Sequence, residues 1–161
     1  MFKAKDFLIR GESSVSCKLT QRIEAEPERL RKEFLAIAID PQQPPRVRER
    51  ALFILYGWAK ELGAAGSVEV AEAIVDVFPV EFPDSKLASI RQSIQGSACD
   101  PDGVSLYVFA LALEVLAPGA GQANINRVLE VFKGSYFEQR LRTDLQAIRE
   151  KRDEGGSRRN L

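Results

Sequence analysis

The run from Val104 to Leu116 constrains the fold more than any other segment. Leu106, Val108, Phe109, Leu111, Leu113, Val115 and Leu116 leave almost no polar position, with Ser105 and Glu114 as the interruptions. Leu111, Leu113 and Val115 alternate as a strand would, but Ala110, Ala112 and the leucines favour a helix. A helix that lacks a polar face belongs at the centre of a domain, so the rest of the chain has to cover it.

The flanking segments are suited to that task. Pro27 fits the first position of a helix, where its missing N–H removes no bond. Leu30, Phe34, Leu35, Ile37 and Ala38 then follow at a spacing near 3.6. Asp40-Pro41-Gln42-Gln43-Pro44-Pro45 ends this helix, because prolines cannot continue it. A second helix is expected from Pro45 to Leu62, burying Val47, Ala51, Ile54, Leu55, Trp58 and Leu62. Gly63 fits its C-terminal cap, and Ser67 caps a third helix carrying Val70, Ala71, Ile74, Val75 and Phe78.

Phe78 to Pro83 reads as an extended connector. Asp84 or Ser85 caps a helix with Leu87, Ile90 and Ile94 in register, which Gly96 stops. Asp100-Pro101-Asp102-Gly103 has the composition of a turn. Beyond the central helix, Pro118-Gly119-Ala120-Gly121 separates it from a helix marked by Ile125, Val128, Leu129 and Phe132, ending at Gly134. Ser135 caps the last helix, with Tyr136, Phe137, Leu141, Leu145 and Ile148 at helical spacing. Residues 1–25 allow a strand, from the alternation of Val15, Cys17 and Leu19, or a helix over Ser13–Ala25 with Val15, Leu19, Arg22 and Ile23 on one side, and the helix is preferred. The expectation is an all-α chain: a single domain over 1–152 of seven to eight helices, and a flexible charged tail over 153–161.

Composition narrows the function. Lys and Arg number 23, Asp and Glu 23, and there is no histidine. Neutrality removes the global positive field typical of sequence-independent nucleic-acid binding. Without histidine there is no Ser-His-Asp triad, no Cys-His pair and no His-ligated metal. Two cysteines, Cys17 and Cys99, are too few for a disulfide framework or a zinc site and read as small buried apolar residues, with a single bridge between them as the alternative. Asp100 and Asp102, with Asp84, do not complete a calcium loop. No phosphate-binding glycine motif occurs. No cofactor and no metal are expected. Charges within Met1–Asp6 do not suit a signal peptide, and no run approaches ~18 apolar residues, so a cytoplasmic location is expected.

The segment Glu28–Leu62 resembles a HEAT repeat. It has a helix, then Asp40-Pro41, then Pro45, Val47-Arg48, Ala51-Leu52, Leu55 and Gly57. The resemblance implies that Val47 points inward and Arg48 outward near the turn. A fainter echo starts at Asp100-Pro101 with Val104 and the central helix, without the arginine. Positions 40 and 100 are further apart than one such repeat of roughly 40–47 residues. HEAT-like helix pairs and an irregular helical bundle both remain open. The resemblance implies a scaffold or adaptor that binds through a helical surface.

Two faces are candidate binding sites. Arg46 and Arg50 open the Pro45–Leu62 helix, where cations oppose the helix dipole, and Phe53 shares their face. Basic side chains beside an aromatic suit an acidic patch or a phosphate. The alternative is a solvated face neutralised by Glu49, or by pairing to Glu26, Glu28 or Glu33. Arg140 and Arg149 lie on the last helix among interspersed acids, a pattern that usually marks a solvated helix. The functional expectation is a non-catalytic, protein-binding adaptor or inhibitor, of the toxin-neutralising, secretion or phage-assembly kind. The alternative is nucleic-acid binding through the basic faces around Arg46/Arg50 and the last helix.

Overall fold

A computed structural model describes the backbone of residues 27–62, 68–95 and 100–159, with side chains over 28–57, 68–95 and 100–154. The expectations for residues 1–25, both cysteines, Gly63, Ser67 and Gly96, and the side chains of Trp58 and Leu62, lie outside these residues. The described residues form seven helices and no strand. They are α1 (Pro27–Ile39), α2 (Pro45–Leu62), α3 (Val68–Glu81), α4 (Asp84–Ile94), α5 (Pro101–Leu116), α6 (Gln122–Phe132) and α7 (Tyr136–Arg159). The all-α expectation holds, and no helix among them is long and apolar enough to cross a membrane.

Helix α5 is the centre, as its missing polar face requires. It packs against α2, α3, α4, α6 and α7. Leu106, Phe109, Ala110, Ala112, Leu113 and Leu116 are all fully buried. Burying each large apolar side chain contributes ~1.5–3 kcal/mol, so this one helix anchors much of the core. The Phe109 ring meets Phe53, Phe78 and Phe82 edge-on, at centroid distances of 5.6, 5.5 and 5.6 Å. Most other packing runs between helices adjacent or next-adjacent in the chain: α1 on α2 and α3, α4 on α6, α6 on α7.

The α1–α2 corner follows from its polar residues. The Asp40 carboxylate accepts from the Gln42 N–H (2.9 Å) and from Gln43 Nε2 (3.3 Å), which folds the proline-rich stretch back. Arg48 Nε donates to the Ala38 carbonyl (3.0 Å), satisfying one of the carbonyls that the end of α1 leaves open. Val47 packs against the core, and Arg48 stays half-exposed at the turn.

Several expectations are corrected. Leu52 and Tyr56 of α2 are buried, whereas Val47 and Ile54 are only partly so. The buried arc is wider than one stripe because three helices, α1, α3 and α5, pack against α2. Residues 78–81 are not an extended connector, since α3 continues through Pro79 to Glu81. A proline in the last turn removes a single N–H bond. The buried pair Phe78 and Phe82, one turn apart at 5.7 Å, keeps that turn wound, with the Phe82 N–H on the Phe78 carbonyl at 2.8 Å.

Neither Asp84 nor Ser85 caps α4. Pro83 holds the cap position in extended backbone without a side-chain bond, and Asp84 pairs with Arg127 of α6 instead. Residues 101–103 belong to α5 rather than to a turn. Asp100 is its N-cap, accepting from the N–H groups of Asp102 (2.8 Å) and Gly103 (3.4 Å), with Pro101 at the first helical position.

The α6–α7 corner matches expectation. Gly134 takes the left-handed backbone (φ +78°), and the Ser135 hydroxyl oxygen accepts the Phe137 N–H at 3.3 Å. Glu138 reaches back to the Gly134 N–H at 2.7 Å, completing a near-reciprocal cap. Phe137, Leu141 and Leu145 are buried in register, but Tyr136 is not. Helix α7 is continuous to Arg159, through the residues whose composition reads as a tail.

Candidate partner-binding site

The five residues singled out from sequence fall into three separate environments. Arg46 is exposed and Arg50 half-exposed at the start of α2. Phe53 does not join them as a surface aromatic, because its ring is edge-on to Phe109 and packs against the core. Glu49 does not simply neutralise the arginines either. Its carboxyl turns toward Glu81 at the end of α3, with Lys86 of α4 and Arg46 nearby. Burial, then the Glu81 charge and the hydrogen bond between the two carboxyls, pushes Glu49 up to about 7.

Arg149 faces inward. Glu114, on the central helix, is only 2% exposed. Arg149 grips it with Nε on Oε1 (2.9 Å) and Nη2 on Oε2 (3.3 Å), and Nη2 also donates to Gln122 Oε1 (3.2 Å). Arg152 adds a bond to Oε1 (3.1 Å) and one to the Glu114 carbonyl (3.2 Å). A buried carboxylate is tolerated only when paired and hydrogen-bonded, and this one is held by two forks. The cluster ties α7 to α5 and to the start of α6.

Arg140 is the exposed member of a third group. Helical spacing puts Tyr136, Arg140 and Asp144 on one edge of α7. The Tyr136 hydroxyl accepts from Arg140 Nη1 (3.4 Å), which with the Tyr107 hydroxyl favours the charged guanidinium. Tyr107 of α5 donates its hydroxyl to Asp144 Oδ2. Burial, with that bond and the Asp144 charge, pushes the Tyr107 hydroxyl well above the usual phenol range. Tyr56 of α2 is buried and raised too, by burial first and by the Asp144 charge second. Of the chain's three tyrosines, Tyr107 engages both Asp144 and Arg140, Tyr136 bonds Arg140, and Tyr56 feels the Asp144 charge.

Tyr136 is 65% exposed, the only aromatic among the exposed large hydrophobics of the described residues, and Arg140 beside it is exposed. Tyr136 rests its ring at 5.8 Å from buried Phe137, so the exposed ring has a rigid backing. Chemically, the cluster presents one cation, one aromatic ring and one hydroxyl, with a carboxylate behind them already engaged. Tyr107 stays a neutral donor at ordinary pH.

The periodicity of α7 suggested a buried Tyr136, so the sequence reading missed this residue. The signal that would have found it is the i, i+4, i+8 series of Tyr136, Arg140 and Asp144. Among the acids weighed as metal ligands, Asp84 pairs with Arg127, and Asp100 is held below the usual carboxylate range by the Ser93 hydroxyl and the two amides that it caps. Compared with known proteins, the chain matches no family model, no curated protein and no solved structure.

Proposed function

We propose that this chain is a non-catalytic adaptor or inhibitor that binds another protein through the α7 edge carrying Tyr136 and Arg140. The observation that carries the reading is an exposed tyrosine, backed by a buried ring, beside an exposed arginine that is oriented by two tyrosine hydroxyls. Tyrosine and arginine are the residue types that most often dominate protein interfaces, and pre-orientation lowers the entropy lost on binding. The missing histidines support a role without acid–base chemistry. The packing of α1 on α2, with Arg48 on the α1 carbonyl at the Asp40-Pro41 corner, supports a HEAT-like helix pair over this segment, and a cytoplasmic setting suits that class.

The test is affinity capture from native lysate with the wild-type chain and with Tyr136→Ala/Arg140→Ala, each with and without nuclease. The expected result is one stoichiometric protein that survives nuclease and is lost with the double variant, at an unchanged melting temperature. Partners that vanish on nuclease treatment would instead favour nucleic acid as the ligand. Equal capture by wild type and variant would remove Tyr136 and Arg140 from the interface.

A further inference from the structure

Helix α3 differs in charge from the rest of the molecule. It carries Glu69, Glu72, Asp76 and Glu81, and no lysine or arginine. Glu81 is engaged with Glu49. The side chains of Glu69, Glu72 and Asp76 are exposed and make no ion pair or hydrogen bond with any described residue. Elsewhere acids and bases are interspersed, as along α7, so this unanswered charge stands out.

The same face is apolar between its carboxylates. An open groove of about 600 Å³ runs between α3 and the corner that follows α5. Val68 and Val75 form one wall, Leu116 and Pro118 the other, and Glu72 and Asp76 lie along it. Val68 is 71% exposed, so a large aliphatic side chain at the groove's end faces water. Removing such surface from water contributes roughly 25 cal/mol per Å². Glu72 and Asp76 are one helical turn apart, about 6 Å along the axis. That spacing matches two cations at i and i+4 on a second helix lying in the groove.

We propose that this groove docks a basic amphipathic helix of a partner protein, its apolar face on Val68, Val75 and Pro118 and its lysines or arginines on Glu72 and Asp76. Helix-in-groove recognition needs an apolar trough with a charged rim that selects the ligand's sign, and both are present. The surface is distinct from the Tyr136–Arg140 edge: the groove is at the C-terminal end of α5, whereas Tyr136 follows the α6–α7 corner near the N-terminal end of α5, where Gly103 lies against Phe137. The two can be occupied independently.

The experiment titrates the full chain into two fluorescent 18-residue probe helices of equal apolar content, one Leu/Lys and one Leu/Glu, read by anisotropy. The wild-type chain should bind the Leu/Lys probe saturably, and binding should weaken as salt rises. Glu72→Lys/Asp76→Lys should weaken it by about tenfold or more, and Glu72→Gln/Asp76→Asn by a smaller factor. Val68→Ser should weaken it at unchanged net charge. These are surface positions, so circular dichroism should report an unaltered fold for each variant. Equal binding of the Leu/Glu probe, or equal Leu/Lys binding by wild type and both charge variants, overturns the proposal. So does a dimer in sedimentation that Val68→Asp dissociates, which would give the groove to a second copy of the chain.

Discussion

At the scale of single residues, two carboxylates show opposite solutions to burial. Glu114 is paired on both oxygens by Arg149 and Arg152. Arg149→Ala should therefore destabilise the chain by about 2 kcal/mol, less than the 3–5 kcal/mol typical of a fully broken buried pair because Arg152 remains. Urea denaturation measures this, and a cycle with Glu114→Ala should return a favourable coupling between the two positions. Glu49 faces Glu81 and no arginine fork, and burial favours its protonated form despite Lys86 and Arg46 nearby. Its folded pKa of about 7 lies above the ordinary 4.5. The folded state thus holds the proton more tightly than the unfolded one, and stability falls as pH rises from about 4.5 through 7. Glu49→Gln should leave stability unchanged at pH 4 and raise it by roughly 1 kcal/mol at pH 8, the size being limited by solvent screening of a half-exposed group. Denaturant midpoints of both proteins at the two pH values decide it. Greater destabilisation at pH 8 would mean that Lys86 and Arg46 hold an ionised Glu49.

At the scale of elements, what was legible in the sequence follows the strength of the local signal. The bounds of α2 from Pro45 to Leu62 and the start of α1 at Pro27 appear as read, because prolines at first helical positions and a proline-rich break leave the chain few choices. The end of α3 was not legible. Proline normally stops a helix, and only the packing of Phe78 and Phe82 on Phe109 shows why this one runs on. Pro79→Ala should return one backbone hydrogen bond and stabilise the chain by about 1 kcal/mol, read as a higher thermal midpoint. The candidate sites were less legible than the helices. Arg149 and Arg140 look alike in sequence, two cations on one polar helix. Their fates separate only because Glu114 sits on the buried side of α5 and Asp144 on an edge, a distinction made by helix rotation and not by residue type.

At the scale of the whole molecule, one helix touches five of the other six described ones, so α5 cannot loosen without disturbing nearly all of them. Leu113→Ala should cost about 3 kcal/mol, and unfolding should remain one transition. Circular dichroism and hydrogen exchange followed by mass spectrometry should then report a common midpoint; separate midpoints would divide the helices into independent units. The charge of α3 has a consequence at this scale too. A chain of zero formal net charge that concentrates anions on one helix must carry an equal cationic surplus elsewhere. It should therefore be retained on anion exchangers at pH 7 despite its neutrality, because a resin senses the facing patch and not the sum. In solution, the local negative field of α3 steers the molecule during approach to a cationic partner before any contact is made.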